Sequence, residues 1–307
     1  MAMHILYKFS FKTSVHFGNG MLGASEQRFC ADTLFSAMYI EALQMGRADE
    51  LYDAVKKGNL RISDAFPYDG HDYYVPKPML RIAASDTGNS LEKKFYKNLK
   101  YIPARELKHY LAGNMDMVDW AGDLASFSSR TSANVSDGPE TLPYQVGLCS
   151  FKEGSGLYII AFLKSEDERN LIETLLQALA SAGIGGKRSA GLGRFNFIMG
   201  APDKTIKEGL EKDGPVRMLL STALPMEKEM ESALAGASYS VIPRSGFVAS
   251  DQYAPEQRKK RTLHVFEAGS CFLNRFEGDI YDVSDGGRHA VYRYAKPMFL
   301  SFDGVQA

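Results

Sequence analysis

Between residues 183 and 194 the sequence reads Gly-Ile-Gly-Gly-Lys-Arg-Ser-Ala-Gly-Leu-Gly-Arg. Glycines at Gly183, Gly185 and Gly186 let a second backbone approach closely, and successive free amides in such a turn form a concave anion site. Lys187, Arg188 and Arg194 add a point charge and bidentate grips, Ser189 adds a hydroxyl, and no acid falls within 183–199. The chemistry this favours is phosphate binding. It is not that of a nucleotide-hydrolysing loop, because Arg188 stands where the P-loop needs Ser or Thr, and Ser181 where it needs glycine. The loop also follows a predicted helix and leads into a predicted strand, so no helix N-terminus faces the phosphate.

Other residues offer reactive groups with less support. Asp32 precedes Thr33 and an apolar helical run, a context that predicts an N-cap rather than a catalytic acid. His16 is a candidate general base without a second histidine nearby. His71-Asp72 lacks the further ligands of a metal-dependent pair, and no Cys/His spacing predicts zinc. No cofactor is expected. The alternative to a binding role is a metal-independent endoribonuclease.

The formal net charge of −1 argues against a chain that coats nucleic acid by bulk charge, but a local basic site is compatible with it. Basic runs lie at Arg258–Arg261 and across 93–108, where Glu106 is the single acid. Three scattered cysteines predict reduced thiols and a cytoplasmic address. No apolar run approaches the ~20 residues of a membrane span, and MAMHILYKFSF reads as a strand rather than a leader.

These residues need elements to hold them. Ile5, Tyr7, Phe9 and Phe11 alternate as a half-buried strand over 4–12, and a helix follows from Leu34 to Met45. Strands are predicted at 144–151 and 156–163, a helix at 166–182 with Leu171, Leu175 and Leu179 on one stripe, and a strand at 193–199. This order predicts an α+β, ferredoxin-like domain over 1–205, with an insertion at about 66–145. A polar stretch at 200–214 reads as a linker, and 215–307 as a second, degenerate ferredoxin-like unit.

A glycine-rich loop after the second helix of such a domain resembles the RAMP superfamily of CRISPR-associated RNA-binding proteins, and GIGGKRSAGLGRF at 183–195 resembles its fullest form. Within it the chain resembles the fourth-subunit family of the Csm complex, the type III-A effector. HFGNG at 16–20, FCADTLFSA at 29–37, PKP at 76–78, RSGF at 244–247, FEGDIYDV at 276–283 and YAKPMFL at 294–300 carry that resemblance in order. It implies a non-catalytic subunit that holds the repeat-derived 5′ handle of the guide RNA, with a thumb-like insertion that bends the guide. It also implies two protein partners, the large palm-domain subunit and the backbone (third Csm) subunit. Carried over by position, Gly185, Gly186, Lys187 and Arg188 would line the handle, with His16, Phe17, Arg28, Lys77, Arg244 and Phe247 around it, and Phe17 and Phe247 as stacking candidates.

Overall fold

The computed structural model describes residues 2–18, 20–81, 94, 97–113, 123–134, 142–250 and 252–303. Strand β1 (Met3–Phe11) is antiparallel both to β8 (Ser155–Leu163) and to β9 (Phe195–Gly200). Its alternation sends Tyr7 and Phe9 to one face, where helices α1 (Ala31–Gln44) and α4 (Glu166–Ala182) lie across the sheet. Leu6 turns to the other face and packs with Met218 and Leu300 from the C-terminal half. Strand β8 is buried on both faces, which is why it reads as a near-continuous apolar run instead of an alternation.

Beyond β8 the sheet continues through β3 (Phe66–Asp69), β4 (Asp72–Pro76) and β5 (Tyr101–Pro103), and β2 (Leu60–Ile62) also pairs with β8. The chain therefore does not leave the sheet at 66, as the proline-rich sequence predicted. Pro67 sits in a strand that is nevertheless paired, because β3 meets β8 at Phe66↔Tyr158 and Tyr68↔Gly156. Outside this sheet are a ribbon of β6 (Ala125–Asn134) and β7 (Leu142–Phe151), bridged to Val15 through Cys149, and the short helix α3 (Leu107–Leu111), whose Leu107 is buried in the core. Residues 82–93, 95, 96, 114–122 and 135–141 of the anticipated insertion lie outside the described residues, Lys93 among them.

Helix α2 (Ala48–Lys56) packs on α1. The stretch read as a linker holds helix α5 (Lys204–Glu211), whose N-terminus is capped by Asp203 accepting from the Thr205 amide at 2.8 Å. It packs against β16 (Phe299–Phe302), which flanks β10 (Val216–Leu219) opposite β13 (Cys271–Phe272). The rest of the C-terminal half comprises a ribbon of β11 (Val241–Arg244) with β12 (Leu263–Phe266), helix α6 (Met230–Leu234), and a ribbon of β14 (Asp279–Asp282) with β15 (Tyr292–Ala295). The halves share a core: the Tyr294 ring lies 5.9 Å from that of Phe35, and its hydroxyl accepts from the Ile62 amide at 3.0 Å. Cys30, Cys149 and Cys271 are free and buried. No helix among the described residues is long and apolar enough to cross a membrane.

Candidate nucleic-acid interface

The glycine-rich loop leaves α4 through Gly183, whose φ of 87° ends the helix. Ile184 is fully buried and anchors the turn, its amide donating to the Gly193 carbonyl at 3.0 Å. From there the chain lies against residues 15–17. The Gly186 amide donates to the His16 carbonyl at 2.8 Å, and a Cβ at Gly185 would come within 2.7 Å of that same oxygen. Only a bare backbone fits there, and that is the requirement the glycines meet.

Lys187 then takes a left-handed conformation, φ 58°, the one positive φ outside glycine among the described residues. Its ammonium donates to the Tyr144 hydroxyl of β7 at 3.2 Å and lies 4.7 Å from that ring's centre. Arg188 opens a short 3₁₀ turn and reaches Glu41 of α1 at 2.8 Å. Glu41 is buried, so this ion pair ties the loop to the helix rather than leaving Arg188 wholly free. Ser189 is exposed. Arg194 is exposed as well, beyond the loop, near Lys12 at the end of β1.

Loop, α1 and the 15–18 segment enclose a cleft of about 320 Å³, which gathers His16, Arg28, Gly185, Gly186, Arg188 and Arg244. With Phe17, seven of the positions singled out from sequence thus meet in one place. His16 is buried, its Nδ1 held by the Gly147 carbonyl at 2.7 Å. Phe17 also borders the cleft, but its ring is 4% exposed and packed against Phe29 at 5.2 Å, so it is core and not a stacking platform. Phe247 is 51% exposed, outside this cleft, with the Lys259 ammonium 5.6 Å from its ring centre. Gly183 belongs to the root of the loop. Lys77 lies in an adjoining cleft that shares Glu26 and Arg28 with the first. Asp72 of the His71-Asp72 pair is ion-paired with Arg105 on the far part of the sheet.

Beneath the cleft is a charged knot that sequence reading missed. Asp32 is not an N-cap. Cys30 occupies that position, and the Ala31 amide is taken by the Asp64 carboxylate at 2.7 Å, from the β2–β3 connection. Asp32 instead lies in the first turn, buried, and accepts from Arg244 at 2.8 and 3.0 Å and from Arg293. Burial alone would raise its pKa, but the two guanidiniums outweigh it and hold the carboxyl below its ordinary range. Lys260 shares this neighbourhood and is pulled down to about 8, first by burial and then by Arg293. Asp64 is the reverse case. Burial pushes it up to about 6 although backbone amides at Ala31 and Thr222 stabilise its charge, and its Oδ2 is buried without a partner. Asp32 and the RSGF segment at 244–247 both stood out in the sequence, but a separation of 212 residues hid their pairing.

The arrangement offers cations, glycine backbone and a shaped cleft for an extended anionic strand. The same fold occurs in solved assemblies of the type III-A CRISPR system. A chain of the Csm3–Csm4 subcomplex superposes with a TM-score of 0.67 at 18% identity, covering 98% of this chain and 99% of its own. A chain of the Csm1–Csm4 cassette in complex with pppApA gives 0.62 at 20% identity, covering 100% and 98%. The sequence is 38% identical over 300 residues to the CRISPR system protein Csm4 of Mycobacterium tuberculosis, covering 96% of this chain and 97% of that one. It is 30% identical to the Streptococcus thermophilus Csm4, covering 97% and 98%. Residues 212–302 match the family model of the CRISPR Csm4 C-terminal domain. The chain belongs to the Csm4 family.

Proposed function

We propose that this protein is a cytoplasmic, non-catalytic subunit of a type III-A (Csm) interference complex that grips the repeat-derived 5′ handle of the guide RNA in the cleft between the glycine-rich loop and α1. The observation that carries the reading is the convergence of His16, Gly185, Gly186, Arg188, Arg28 and Arg244 on one cleft. Phosphates would take Lys187 and the cleft's cations, and the bare glycines let the RNA backbone approach. The strand order β9-β1-β8-β3, with α1 and α4 on one face, supports a ferredoxin-like, RAMP-type first domain. The C-terminal half would be its degenerate counterpart, and the β6–β7 ribbon the thumb.

Two features favour holding over cutting. Both oxygens of Asp32 are engaged by arginines, and His16 Nδ1 is tied to a main-chain carbonyl. The assemblies solved for relatives, Csm1–Csm4 and Csm3–Csm4, support a palm-domain partner and a backbone partner for this chain.

The test must avoid orphaning buried Glu41, so Lys187→Ala is combined with Arg188→Gln in a Glu41→Gln background. Binding to handle RNA is expected to weaken for every sequence, and the slope of log K against log salt to become shallower by about 0.7 for each phosphate that is no longer neutralised. Wild-type affinity at low salt would remove the assignment. Incubation with a repeat-containing transcript, without added metal, is expected to give no cleavage. Cleavage that vanishes in His16→Asn would favour the endoribonuclease instead.

A further inference from the structure

Strand β9 closes the large sheet, and among the described residues no strand pairs with its outer edge. We propose that this edge receives an extended, acidic segment of another protein subunit of the complex, added as one more strand whose carboxylates meet Lys12 and Arg194. The site is separate from the proposed RNA cleft, and none of its residues borders that cleft.

Three observations carry it. The first is the direction of the backbone. The Lys12 amide donates to the Arg194 carbonyl at 2.8 Å, and the register extends that bonded parity to Ser10↔Asn196 and Lys8↔Ile198. The main-chain groups of Phe197 and Met199 therefore point away from β1, toward the outer edge. Extended peptides take up such a row of groups by strand addition. The second is that the sequence leaves this edge unguarded. Residues 195–200 read Phe-Asn-Phe-Ile-Met-Gly, without a charge or a proline, and Ile198 and Met199 are 64% and 44% exposed. An edge of this kind pairs with another chain unless something covers it. The far end of the sheet shows the contrast: β5 is three residues long, all buried, and ends in Pro103.

The third is charge. Beside Phe195 and Asn196 a cleft of about 420 Å³ opens between the end of β1, the start of β9 and the end of α4, bordered by Lys12, Gln177, Ser181 and Arg194 and by no acid. Lys12 and Arg194 are exposed, and neither side chain has an ion-pair partner among the described residues. At the other end of β9, Glu166 and Glu173 are both paired with Arg169, whose guanidinium also donates to the Met199 sulfur at 3.3 Å. A second copy of this chain laid antiparallel on β9 would set those spent acids opposite Lys12 and Arg194. Free carboxylates must therefore come from a different protein, and its apolar side chains would cover Ile198 and Met199.

Amide exchange on the full chain, free and assembled with the palm-domain and backbone subunits, tests the edge. Exchange at Phe197 and Met199 is expected to slow by about tenfold or more on assembly. A carbodiimide, which joins a carboxylate directly to an amine, is expected to link Lys12 to an Asp or Glu of another subunit. Ile198→Lys alters only an exposed side chain, and Met199→Pro removes an outward amide while leaving the β1 ladder intact. Each should weaken binding of that subunit by about tenfold or more, with the melting temperature of the free chain and its affinity for handle RNA as in the wild type. Lys12→Glu should weaken it too, and replacing the linked acid with Lys should then restore it. Unchanged exchange at both amides in the assembled complex overturns the proposal, as does a link from Lys12 only to a second copy of this chain. Loss of handle-RNA affinity by Ile198→Lys and Met199→Pro at unchanged subunit binding would give the edge to RNA and would equally overturn it.

Discussion

Two regions on either side of one cleft use their cations in different ways. The glycine-rich loop holds Lys187 and Arg188 at the surface through backbone geometry, with close approach at Gly185 and a left-handed turn at Lys187. Across from it, Arg244 and Arg293 are consumed by buried Asp32, and Lys260 behind them is pulled toward neutrality. Lys187 presents charge that a phosphate can take without dismantling a buried pair, Arg188 is held by buried Glu41, and the second region is the frame that fixes α1 and the β11–β12 ribbon beside the loop. A basic residue bordering the proposed RNA site is therefore not by that fact an RNA contact; its other partner decides.

The largest effect should come from the frame. Asp32→Asn removes the charge that offsets two buried guanidiniums, and breaking such a pair from one side costs about 3–5 kcal/mol. The midpoint of denaturant unfolding is expected to fall accordingly, at unchanged m-value. A change below about 1 kcal/mol would mean that Arg244 and Arg293 relax into solvent, and the contrast between frame and loop would collapse.

Asp64 sharpens it by pH. Its folded pKa, about 6, lies above the ordinary 3.8, so the folded state binds more protons between those values. Its contribution is fully present below pH 3.8 and is lost as pH rises through about 6, with a total on the order of 2–3 kcal/mol. Asp32, held low, works with the opposite sign: its contribution is present above 3.8 and is lost as pH falls through its folded value. Asp64→Asn keeps an oxygen for the Ala31 and Thr222 amides and should flatten the stability–pH curve between about 4 and 6. An unaltered curve would show that Asp64 is not the group titrating there.

Gly185→Ala is expected to cost about 1–3 kcal/mol, because φ 98° is unfavourable to a side chain and the new Cβ would crowd the His16 carbonyl. RNA binding should fall with it, since the loop must move away from residues 15–17. Gly191→Ala is the control: its φ is 82°, but a Cβ there meets nothing within 4 Å, so stability should suffer and the cleft should not. Equal loss of RNA binding in both would assign the effect to loop flexibility rather than to the close approach of Gly185 to His16.

What could be read from the sequence follows the range of the interactions. The loop was legible because its glycines, cations and missing acids are neighbours in the chain, and so were β1, β8 and α4, whose periodicity is local. The extent of the sheet was not. Pro67, Pro76 and Pro78 advertise irregular backbone, yet β3 and β4 are paired strands, because partners on β8 and β5 take up the remaining amides and carbonyls. Helix α5 was hidden by Gly209, which reads as a breaker but sits where a Cβ would strike Leu300 at 2.7 Å. Phe17 illustrates the remaining gap: an aromatic next to a glycine-rich motif looks like a platform until Phe29 and Phe11 are found packed against it.

The smallest effect tests the loop directly. Lys187→Ala removes one charge whose contacts within the protein are Tyr144's hydroxyl and ring, both near the surface. Stability should change by no more than about 0.5 kcal/mol, because no buried partner is orphaned. If the ammonium meets a phosphate, affinity for every RNA sequence should fall together, and the salt slope should drop by about 0.7. Arg244→Lys is the matched change on the frame. It keeps the charge but cannot reproduce the two-oxygen grip on Asp32, so it should lower the unfolding midpoint while the salt slope stays as in the wild type. The two variants should thus separate on two axes, one moving only the slope and the other only the midpoint. If Arg244→Lys moves the slope and Lys187→Ala does not, the roles are reversed: the frame would carry the phosphate, and the loop would serve to close the cleft over it.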